Sequence, residues 1–192
     1  MSILDKLSDN ALMLQVKDNQ VDKLALLFER YHKQLFGYFY HLTSNKQVSE
    51  DLVQNTFYRI LKYRKKFKGD GAFRAWMYSI ARNANADFFR KNKLQHQADE
   101  LESWADKLPA NSDLLEIIYQ KEDLELLREA LNRLDLEKRE ILVLSKFQEM
   151  KYKEIGELLN CTENVVKVRV YRALQDLKKI FCHLNINKDY DL

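Results

Sequence analysis

Helix-breaking residues are almost absent from this chain, which has four glycines and one proline in 192 residues. Apolar residues recur three and four positions apart over most of its length, which is the period of an amphipathic helix. No stretch shows the alternation of apolar and polar residues that a half-buried strand requires. A chain with so few breakers favours long helices joined by polar loops. The sequence therefore predicts an all-α fold.

One long stretch interrupts the helical pattern. Apolar spacing predicts four helices within residues 1–92 and further helices within residues 122–181. Residues 93–121 have weak periodicity and contain Pro109, the only proline, so we interpret them as a linker. Residues 182–192 are expected to form a tail that is loose from Asn185 to Leu192. The predicted architecture is two small helical domains joined by a linker.

The charge of the chain is segregated, although its net charge is only +3. Residues 59–93 hold eleven Lys and Arg against two Asp, a local charge of +9, whereas residues 94–120 carry a local charge of −5. Contacts with successive phosphates require clustered cations, so the basic segment favours a nucleic-acid partner and the linker is acidic. A solvated helix face explains the same charges, and charge alone leaves both interpretations open.

Residues that could carry catalysis or bind a metal are scattered. The four His lie far apart, and Cys161 and Cys182 have no metal-binding spacing. No nucleophile–base pair and no phosphate-binding glycine loop stands out. We therefore expect no enzymatic activity, no cofactor, no metal site and two reduced thiols. Since the sequence shows no apolar leader and no apolar run of membrane-spanning length, we also expect a cytoplasmic protein.

Residues 151–179 have the layout of a helix-turn-helix. Tyr152 to Leu159 predicts a short helix. Asn160 and Thr162 fit the turn, because Asn tolerates the left-handed conformation and Thr can cap the next helix. The second helix is expected to bury Val166, Val170, Ala173, Leu174 and Leu177.

The same spacing leaves a polar and basic surface on the second helix. Its residues are Asn164, Lys167, Val168, Arg169, Tyr171, Arg172 and Gln175. Asn164, Arg172 and Gln175 can bind base edges in the major groove, and Lys167, Arg169 and Lys178 can hold the phosphates. The pattern predicts a duplex-DNA reader, and a plain helical hairpin with a charged exterior is the alternative.

Basic residues are interleaved with aromatic ones between residues 62 and 90. The aromatic residues are Tyr63, Phe67, Phe73, Trp76, Tyr78, Phe88 and Phe89. An unpaired base can stack on such a ring for about 1–3 kcal/mol while cations contact the phosphates, which suits melted DNA. The helical spacing of Phe73 and Met77 leaves burial in a core as the alternative. The close pair Gly69 and Gly71 predicts a tight loop whose backbone can approach a base.

Segments in both halves of the sequence resemble a known family. The run from Phe67 to Asn83 (FKGDGAFRAWMYSIARN) looks like conserved region 2 of the extracytoplasmic-function (ECF) sigma factors. Residues 50–57 (EDLVQNTF) match the polymerase-contacting helix of that family. Residues 152–159 and 166–174 resemble its region 4. The segments occur in the family's order across an acidic linker and together span nearly the whole chain, which makes the resemblance specific.

The resemblance implies a fold and a set of contacts. The fold would be a region 2 helical bundle and a region 4 helix-turn-helix, joined by the acidic linker. Asp51, Gln54 and Phe57 would contact the clamp helices of the largest subunit of core RNA polymerase, and the flap of the second-largest subunit would be a further contact. Helix 163–177 would enter the major groove of the −35 element of promoter DNA.

The implied contacts with the −10 element include a pocket for a base flipped from the non-template strand. The residues assigned to this element are Lys62, Arg64, Lys65, Phe67, Lys68, Gly69, Asp70, Gly71, Phe73, Trp76 and Asn83. Among them, Lys62, Arg64 and Lys65 would hold phosphates. Family members are commonly bound by an anti-sigma factor, often anchored in the membrane, so the resemblance implies such a partner as well.

The sequence departs from the family pattern at several positions. Asp135 replaces a common proline and, as a good N-cap residue, should still start a helix. Gly156 stands where alanine is common, and a glycine inside a helix costs roughly 0.5–1 kcal/mol relative to alanine. Val168 replaces a more common serine, so the −35 sequence read by the family cannot be carried over.

Two other classes of function fit the residues. An autonomous helix-turn-helix repressor or activator would sense a ligand or dimerise through its N-terminal half and bind duplex DNA tightly without polymerase. A helical adaptor or a nucleic-acid-processing enzyme is the second. A sigma factor is expected to bind DNA weakly when free, because melting and base capture need the polymerase.

Overall fold

The computed structural model describes residues 7–95 and 121–190, which form eight α-helices and no strand. The helices are α1 (Asp9–Lys17), α2 (Leu24–Thr43), α3 (Lys46–Tyr63), α4 (Phe73–Gln95), α5 (Lys121–Asn132), α6 (Leu136–Leu142), α7 (Tyr152–Leu159) and α8 (Glu163–Tyr190). Short 3₁₀ turns lie at Val21–Lys23 and Arg64–Lys66, and a π-helical turn follows α6 at Val143–Phe147. The predicted all-α fold is confirmed.

The described residues form two compact units. One comprises residues 7–39 and 47–95, and the other comprises residues 40–46 and 121–190. Most of the predicted linker lies outside the described residues, so the domain boundaries at 92, 121 and 181 stay a prediction. None of the helices in the described part of the chain is both long enough and apolar enough to cross a membrane.

The first unit has an apolar core to which all four of its helices contribute. The buried side chains include Leu12, Met13 and Val16 of α1, Leu27, Leu35 and Phe39 of α2, Leu52, Phe57 and Ile60 of α3, and Phe73, Met77 and Ala81 of α4. Within each helix the core residues lie mostly three to five positions apart, so each helix buries one face. The buried hydroxyl of Thr56 donates to the carbonyl of Leu52 at 2.7 Å, which satisfies this polar group inside the core.

Helix α1 is held to α2 by one carboxylate. Asp9 accepts a hydrogen bond from Arg30 Nη1 at 2.6 Å and another from the hydroxyl of Tyr31. Burial, together with this hydrogen bond, raises the pKa of the Tyr31 hydroxyl well above its ordinary value. The start of α1 is fixed by Ser8, whose Oγ accepts from the backbone N–H of Ala11 at 3.2 Å.

The second unit is organised around α8, the longest helix. Its C-terminal half packs on α5 through a cluster of Leu126, Ala130, Leu177, Ile180, Phe181 and Leu184. Lys138 of α6 forms an ion pair with Asp176 of α8, with 3.0 Å between Nζ and Oδ2. Asp135 precedes α6, as expected, but its side chain makes no capping hydrogen bond, and its carboxylate instead contacts Lys138 at 3.1 Å.

Helix α8 continues past residue 181, where the sequence predicted a tail. Its backbone is helical to Tyr190, and the Leu184 side chain is buried against Leu126 and Ala130. Leu177, Phe181 and Leu184 lie four and three positions apart, so the apolar stripe of α8 simply continues. The backbone of the predicted tail is therefore helical as far as Tyr190, and the domain boundary at 181 stays a prediction.

Gly156 has a different role from the one that its helix propensity suggests. A Cβ built on this residue would lie 2.7 Å from the carbonyl oxygen of Cys161, because the turn after α7 folds back onto the helix. The Cys161 N–H donates to the Gly156 carbonyl at 2.9 Å, which fixes this close approach. Glycine at this position permits the turn of the helix-turn-helix, and this outweighs its cost to helix stability.

We expect Gly156→Ala to lower the free energy of unfolding, by about 1–3 kcal/mol, because an added methyl group overlaps a backbone oxygen that has little freedom to move. Chemical denaturation followed by circular dichroism measures the change. Glu157→Ala, at an exposed position on the same helix, is the control and should change stability by less than about 0.5 kcal/mol. A gain in stability for Gly156→Ala, as helix propensity alone suggests, would contradict the assignment.

Candidate nucleic-acid interface

Residues 67–72, which follow the 3₁₀ turn Arg64–Lys66 and precede α4, form an exposed loop with anchored ends (the α3–α4 loop). Phe67, its first residue, is 3% exposed, and Phe73, which follows it, is 1% exposed. The Phe67 ring lies 5.2 Å from the ring of Trp76 and 6.2 Å from that of Phe73, which also packs edge-on against Tyr31 at 5.6 Å. Both ends are thus fixed in the core, while Lys68 is exposed between them.

The two glycines of the α3–α4 loop are not equivalent. Gly69 has a φ of +80°, which is accessible to glycine but strained for other residues, and a Cβ on it would lie 3.2 Å from Cδ2 of Leu14 in α1. A Cβ on Gly71 would meet no atom of the described chain within 4 Å. Gly69 therefore sets the path of the loop, whereas Gly71 keeps the surface beside it open.

Trp76 and Asn83 lie on one side of α4. Trp76 is half-buried against the ring of Phe67, and Asn83 is exposed. Seven residues separate them, which is two turns and roughly 10 Å along the helix axis. The sequence placed both around one flipped base, whereas this spacing would let Asn83 contact a neighbouring part of the strand. Phe67 and Phe73, assigned to the same pocket, are buried, and their contact with a base stays a prediction.

The cations assigned to phosphate contacts, in and just before the loop, differ in their present partners. Lys62, Lys65 and Lys68 are exposed, as phosphate contacts require. Lys65 Nζ, however, donates to the carbonyl of Lys17 at 2.6 Å, and the half-buried Arg64 donates to the carbonyl of Leu61 at 3.0 Å. Arg64 and Lys65 therefore also support the backbone, and their assignment as phosphate ligands stays a prediction.

Tyr63 is an exposed aromatic residue that the assigned site residues leave out. Its side chain is 37% exposed, with Lys62 Nζ and Lys66 Nζ at 5.7 and 5.1 Å from the ring centroid. A ring flanked by cations is the arrangement that stacks an unpaired base. The signal in the sequence was an aromatic residue at the end of a helix and close to two lysines.

Two further cations of the basic segment bind a carboxylate. Arg59 Nη1 lies 2.8 Å from Oδ2 of Asp87, and Arg90 contacts the other carboxylate oxygen. The hydrogen bond from Arg59, with support from Arg90, holds the pKa of the Asp87 carboxyl below its ordinary value. These three residues tie α3 to α4, so the count of eleven Lys and Arg overstates the number of cations that are available to DNA.

The residues assigned to polymerase binding differ in exposure. Asp51 and Gln54 are exposed and lie three positions apart on one face of α3. Gln47 donates to the Asp51 carboxylate at 3.1 Å on the same helix. Phe57 is only 6% exposed and packs edge-on against Phe28 at 4.9 Å. Its position favours a role in the core, and its assigned contact with polymerase stays a prediction.

The predicted helix-turn-helix is present in the second unit as α7, a turn and α8. Asn160 ends α7 in the left-handed conformation, with φ 52° and ψ 48°. The Thr162 hydroxyl accepts from the backbone N–H of Val165 at 3.4 Å and caps α8. At the start of α7, the Glu154 carboxylate accepts from the backbone N–H of Lys151 at 3.1 Å.

The exposed face of α8 matches the prediction with one correction. Val166, Val170 and Ala173 are buried, as expected, but Leu174 is 36% exposed. At 100° per residue, Leu174 lies roughly 70° from the centre of the stripe that these residues form with Leu177, which places it at the edge. Leu174 therefore adds an apolar contact beside the outward face.

The assigned residues of α8 are distributed around its exposed face. All seven are exposed: Asn164, Lys167, Val168, Arg169, Tyr171, Arg172 and Gln175. The helical angle places Val168 and Gln175 opposite the buried stripe, and Lys167 and Arg169 on opposite flanks. Lys167 forms an exposed ion pair with Glu163 at 2.9 Å, which is weak enough to exchange for a phosphate.

Residues that could bind a metal are not clustered in the described part of the chain, where no group of three His, Cys, Asp or Glu has a suitable arrangement. Cys161 and Cys182 are both free thiols. The chemistry that the described residues offer is hydrogen bonding, aromatic stacking and cationic contacts.

Comparison with known families matches a model in each half of the chain. Residues 27–95 match Sigma-70 region 2, and residues 124–177 match Sigma-70 region 4. RNA polymerase sigma factor YlaC of Bacillus subtilis is 27% identical over 166 residues, which cover 82% of this chain and 91% of that protein. ECF RNA polymerase sigma factor SigW of the same organism is 28% identical over 172 residues, covering 86% and 92%.

Solved structures show the same fold at lower identity. CnrH, in complex with the cytosolic domain of CnrY, has a TM-score of 0.69 and 21% identity over 91% of this chain and 97% of its own. The sigma factor RpoE from Bartonella quintana, in complex with the anti-sigma factor NepR, has a TM-score of 0.67 and 24% identity, covering 81% and 94%.

We expect Gly69→Ala to lower the free energy of unfolding by about 1–2 kcal/mol, since a non-glycine residue in the left-handed conformation is strained by about that amount. Urea denaturation followed by circular dichroism measures this. Gly71→Ala is the matched control and should be close to neutral, because its added methyl group points into open space. Equal effects of the two substitutions would show that the loop does not adopt this conformation.

Proposed function

This chain belongs to the extracytoplasmic-function (ECF) group of the sigma-70 sigma factors, and we propose that it reads two promoter elements through two separate surfaces. As a sigma factor it directs promoter-specific initiation by RNA polymerase. The proposed mechanism rests on one observation: the α3–α4 loop is exposed, and the aromatic residues at its two ends are buried. We propose that the protein acts by binding alone, with no reaction of its own.

The −10 element is read in the first unit, by stacking and by backbone contacts. A base flipped from the non-template strand would enter beside the α3–α4 loop and stack on the half-buried ring of Trp76. Capture must offset an unstacking cost of a few kcal/mol, and a stacked base recovers about 1–3 kcal/mol. The exposed Lys62 and Lys68 would contact the adjacent phosphates, and Asn83 would contact the strand further along α4.

Core RNA polymerase binds the exposed face of α3. Asp51 and Gln54 present a carboxylate and an amide on one face of a helix whose opposite side is buried in the core. We propose that these two residues contact the clamp helices of the largest subunit. The flap of the second-largest subunit is proposed as a further contact of the polymerase with this chain.

The −35 element is read by α8 in the major groove. Asn164, Arg172 and Gln175 can hydrogen-bond base edges, and Val168 can contact the methyl group of a thymine. Lys167 and Arg169 flank this face and would hold the phosphates on either side. A helix face with base-reading residues at its centre and cations at its edges is better explained by binding to a DNA duplex than by exposure to solvent alone.

An anti-sigma factor is proposed as the regulator. CnrH was solved in complex with the cytosolic domain of CnrY, and the sigma factor RpoE was solved in complex with the anti-sigma factor NepR. A partner of this chain should compete with core polymerase for it. Competition in a binding assay between a co-purified protein and core polymerase tests this, and simultaneous binding would contradict it.

The test of the function is reconstitution. The purified chain is mixed with core RNA polymerase, and transcripts are scored on a library of promoters with randomised −10 and −35 elements. We expect transcripts from a defined subset that depend on the chain, together with weak duplex binding by the chain alone. Tight unaided binding to a two-fold symmetric site, without any promoter-specific transcript, would favour an autonomous repressor or activator.

Substitutions on the two faces of the first unit should separate its activities. We expect Asn83→Ala to reduce promoter opening about tenfold while the affinity for core polymerase stays within twofold, because Asn83 contacts DNA only. Gln54→Ala should weaken polymerase binding first. Permanganate footprinting of the open complex and a polymerase-binding titration give the two values. Indistinguishable defects in the two variants would contradict the separation.

Substitutions in α8 should separate phosphate contacts from base readout. Lys167→Ala is expected to weaken −35 binding by a similar factor on all sequences and to reduce the salt-dependence slope by about 1, since one phosphate contact is lost. Gln175→Ala should instead relax the preference at one or two base pairs, by about 1–3 kcal/mol. Competition assays on the holoenzyme at several salt concentrations measure both effects. A changed base preference in Lys167→Ala, with a uniform loss of affinity in Gln175→Ala, would contradict the assignment.

A further inference from the structure

We propose that Asn10 of α1 is a positioning residue for promoter reading, because its side-chain amide fixes the α3–α4 loop to the start of α4. The amide thereby sets how strongly the loop selects the flipped base. This inference rests on the proposed function of the loop. It adds a residue that lies more than fifty positions away in sequence and in another helix.

The geometry at Asn10 joins two backbone groups at the end of the loop. Its Nδ2 donates to the carbonyl of Gly71 at 2.8 Å, and its Oδ1 accepts from the backbone N–H of Phe73 at 2.7 Å. A primary amide carries a donor and an acceptor at one tip, so a single side chain serves both groups. The last exposed peptide of the loop and the first turn of α4 are held together by this residue.

Other residues of α1 contact the loop at its beginning and middle. Lys17 Nζ donates to the carbonyl of Phe67 at 2.7 Å. The Leu14 side chain lies beside Gly69, since a Cβ added to Gly69 would be 3.2 Å from Cδ2 of Leu14. Helix α1 thus holds the loop by hydrogen bonds at two points, Phe67 and Gly71, and Leu14 lies close to Gly69 between them.

Helix α1 is itself rigidly placed, which makes it able to act as a support. Leu12, Met13 and Val16 are fully buried. Asp9 binds Arg30 and Tyr31 of α2, as described above. A loop that is ordered before DNA arrives loses less conformational entropy when it captures a base, and it offers one shape rather than several.

Asn10 acts through the loop rather than on DNA. Its side chain is half-buried, and both ends of its amide are engaged by the backbone of the loop and of α4. Removal of the amide should leave the polymerase-contacting face of α3 and the −35 reader unchanged. Its effect should therefore be confined to the −10 element.

Asn10→Asp is the decisive variant. A carboxylate keeps the acceptor for the Phe73 N–H, and its charge is favourable at the N-terminus of a helix, so we expect the melting temperature to be maintained. The donor to Gly71 is lost, and a carboxylate oxygen faces a carbonyl instead, so the loop is released. Gln20→Glu adds the same charge at an exposed position just after α1 and is the matched control.

The readout is base selectivity at the flipped position. Holoenzyme is assembled with each variant, and transcription is measured on four promoters that differ only in that non-template base, in a promoter selected by the wild-type protein. We expect the ratio between the preferred base and the others to fall at least fivefold for Asn10→Asp and Asn10→Ala. It should stay within twofold for Gln20→Glu, and core-polymerase binding should be unchanged in all three.

Each outcome decides the inference. Retained selectivity in both Asn10 variants, with a selective wild-type protein, overturns the role of Asn10 and leaves the proposed function standing. A uniform loss of transcription with an unchanged ratio overturns it too, since it shows a structural role only. If Asn10→Ala is poorly folded, the result for Asn10→Asp decides alone. A wild-type protein without promoter-specific transcripts would overturn the proposed function itself, and this inference with it.

Discussion

The burial of Phe67 and Phe73 is the constraint on which the first unit depends. Each buried phenyl ring contributes about 1.5–3 kcal/mol, and the two rings fix both ends of a loop whose middle has no apolar residue to hold it. Tyr31 and Trp76 complete the aromatic cluster around them. A loop that we propose reads DNA can therefore be exposed and still be well ordered, because its order comes from the residues at its ends and from α1 beneath it.

The two units offer different physical means of reading DNA. The first presents a half-buried indole, a glycine-bearing loop and exposed lysines, which suit an unpaired base and its phosphates. The second presents a helix with base readers opposite its buried stripe and cations on both flanks, which suits the major groove of a duplex. In the first unit, several cations are engaged inside the fold, as Arg59 is by Asp87, so charge counted from the sequence overstates the binding surface.

Patterns that are local in sequence were predicted well. The helices follow from apolar spacing, and the left-handed Asn160 and the Thr162 cap follow from residue chemistry at a turn. The errors concern position around a helix or contacts between distant segments. Leu174 fits the apolar period yet lies at its edge. Phe57 is buried in the core, and its assignment to polymerase binding stays a prediction. Gly156 is needed by the turn that packs on it, which its helix propensity did not indicate.

By itself, the sequence determined the helices, the helix-turn-helix, the basic and aromatic segment and the family, because these depend on the order and spacing of neighbouring residues. Only the tertiary structure decided which cations remain available to DNA and what supports the α3–α4 loop. Asn10 binds residues 61 and 63 positions away, a pairing that no local spacing encodes. The physical reason is that a side-chain amide can complete two backbone hydrogen bonds only after packing has brought α1, the loop and α4 together.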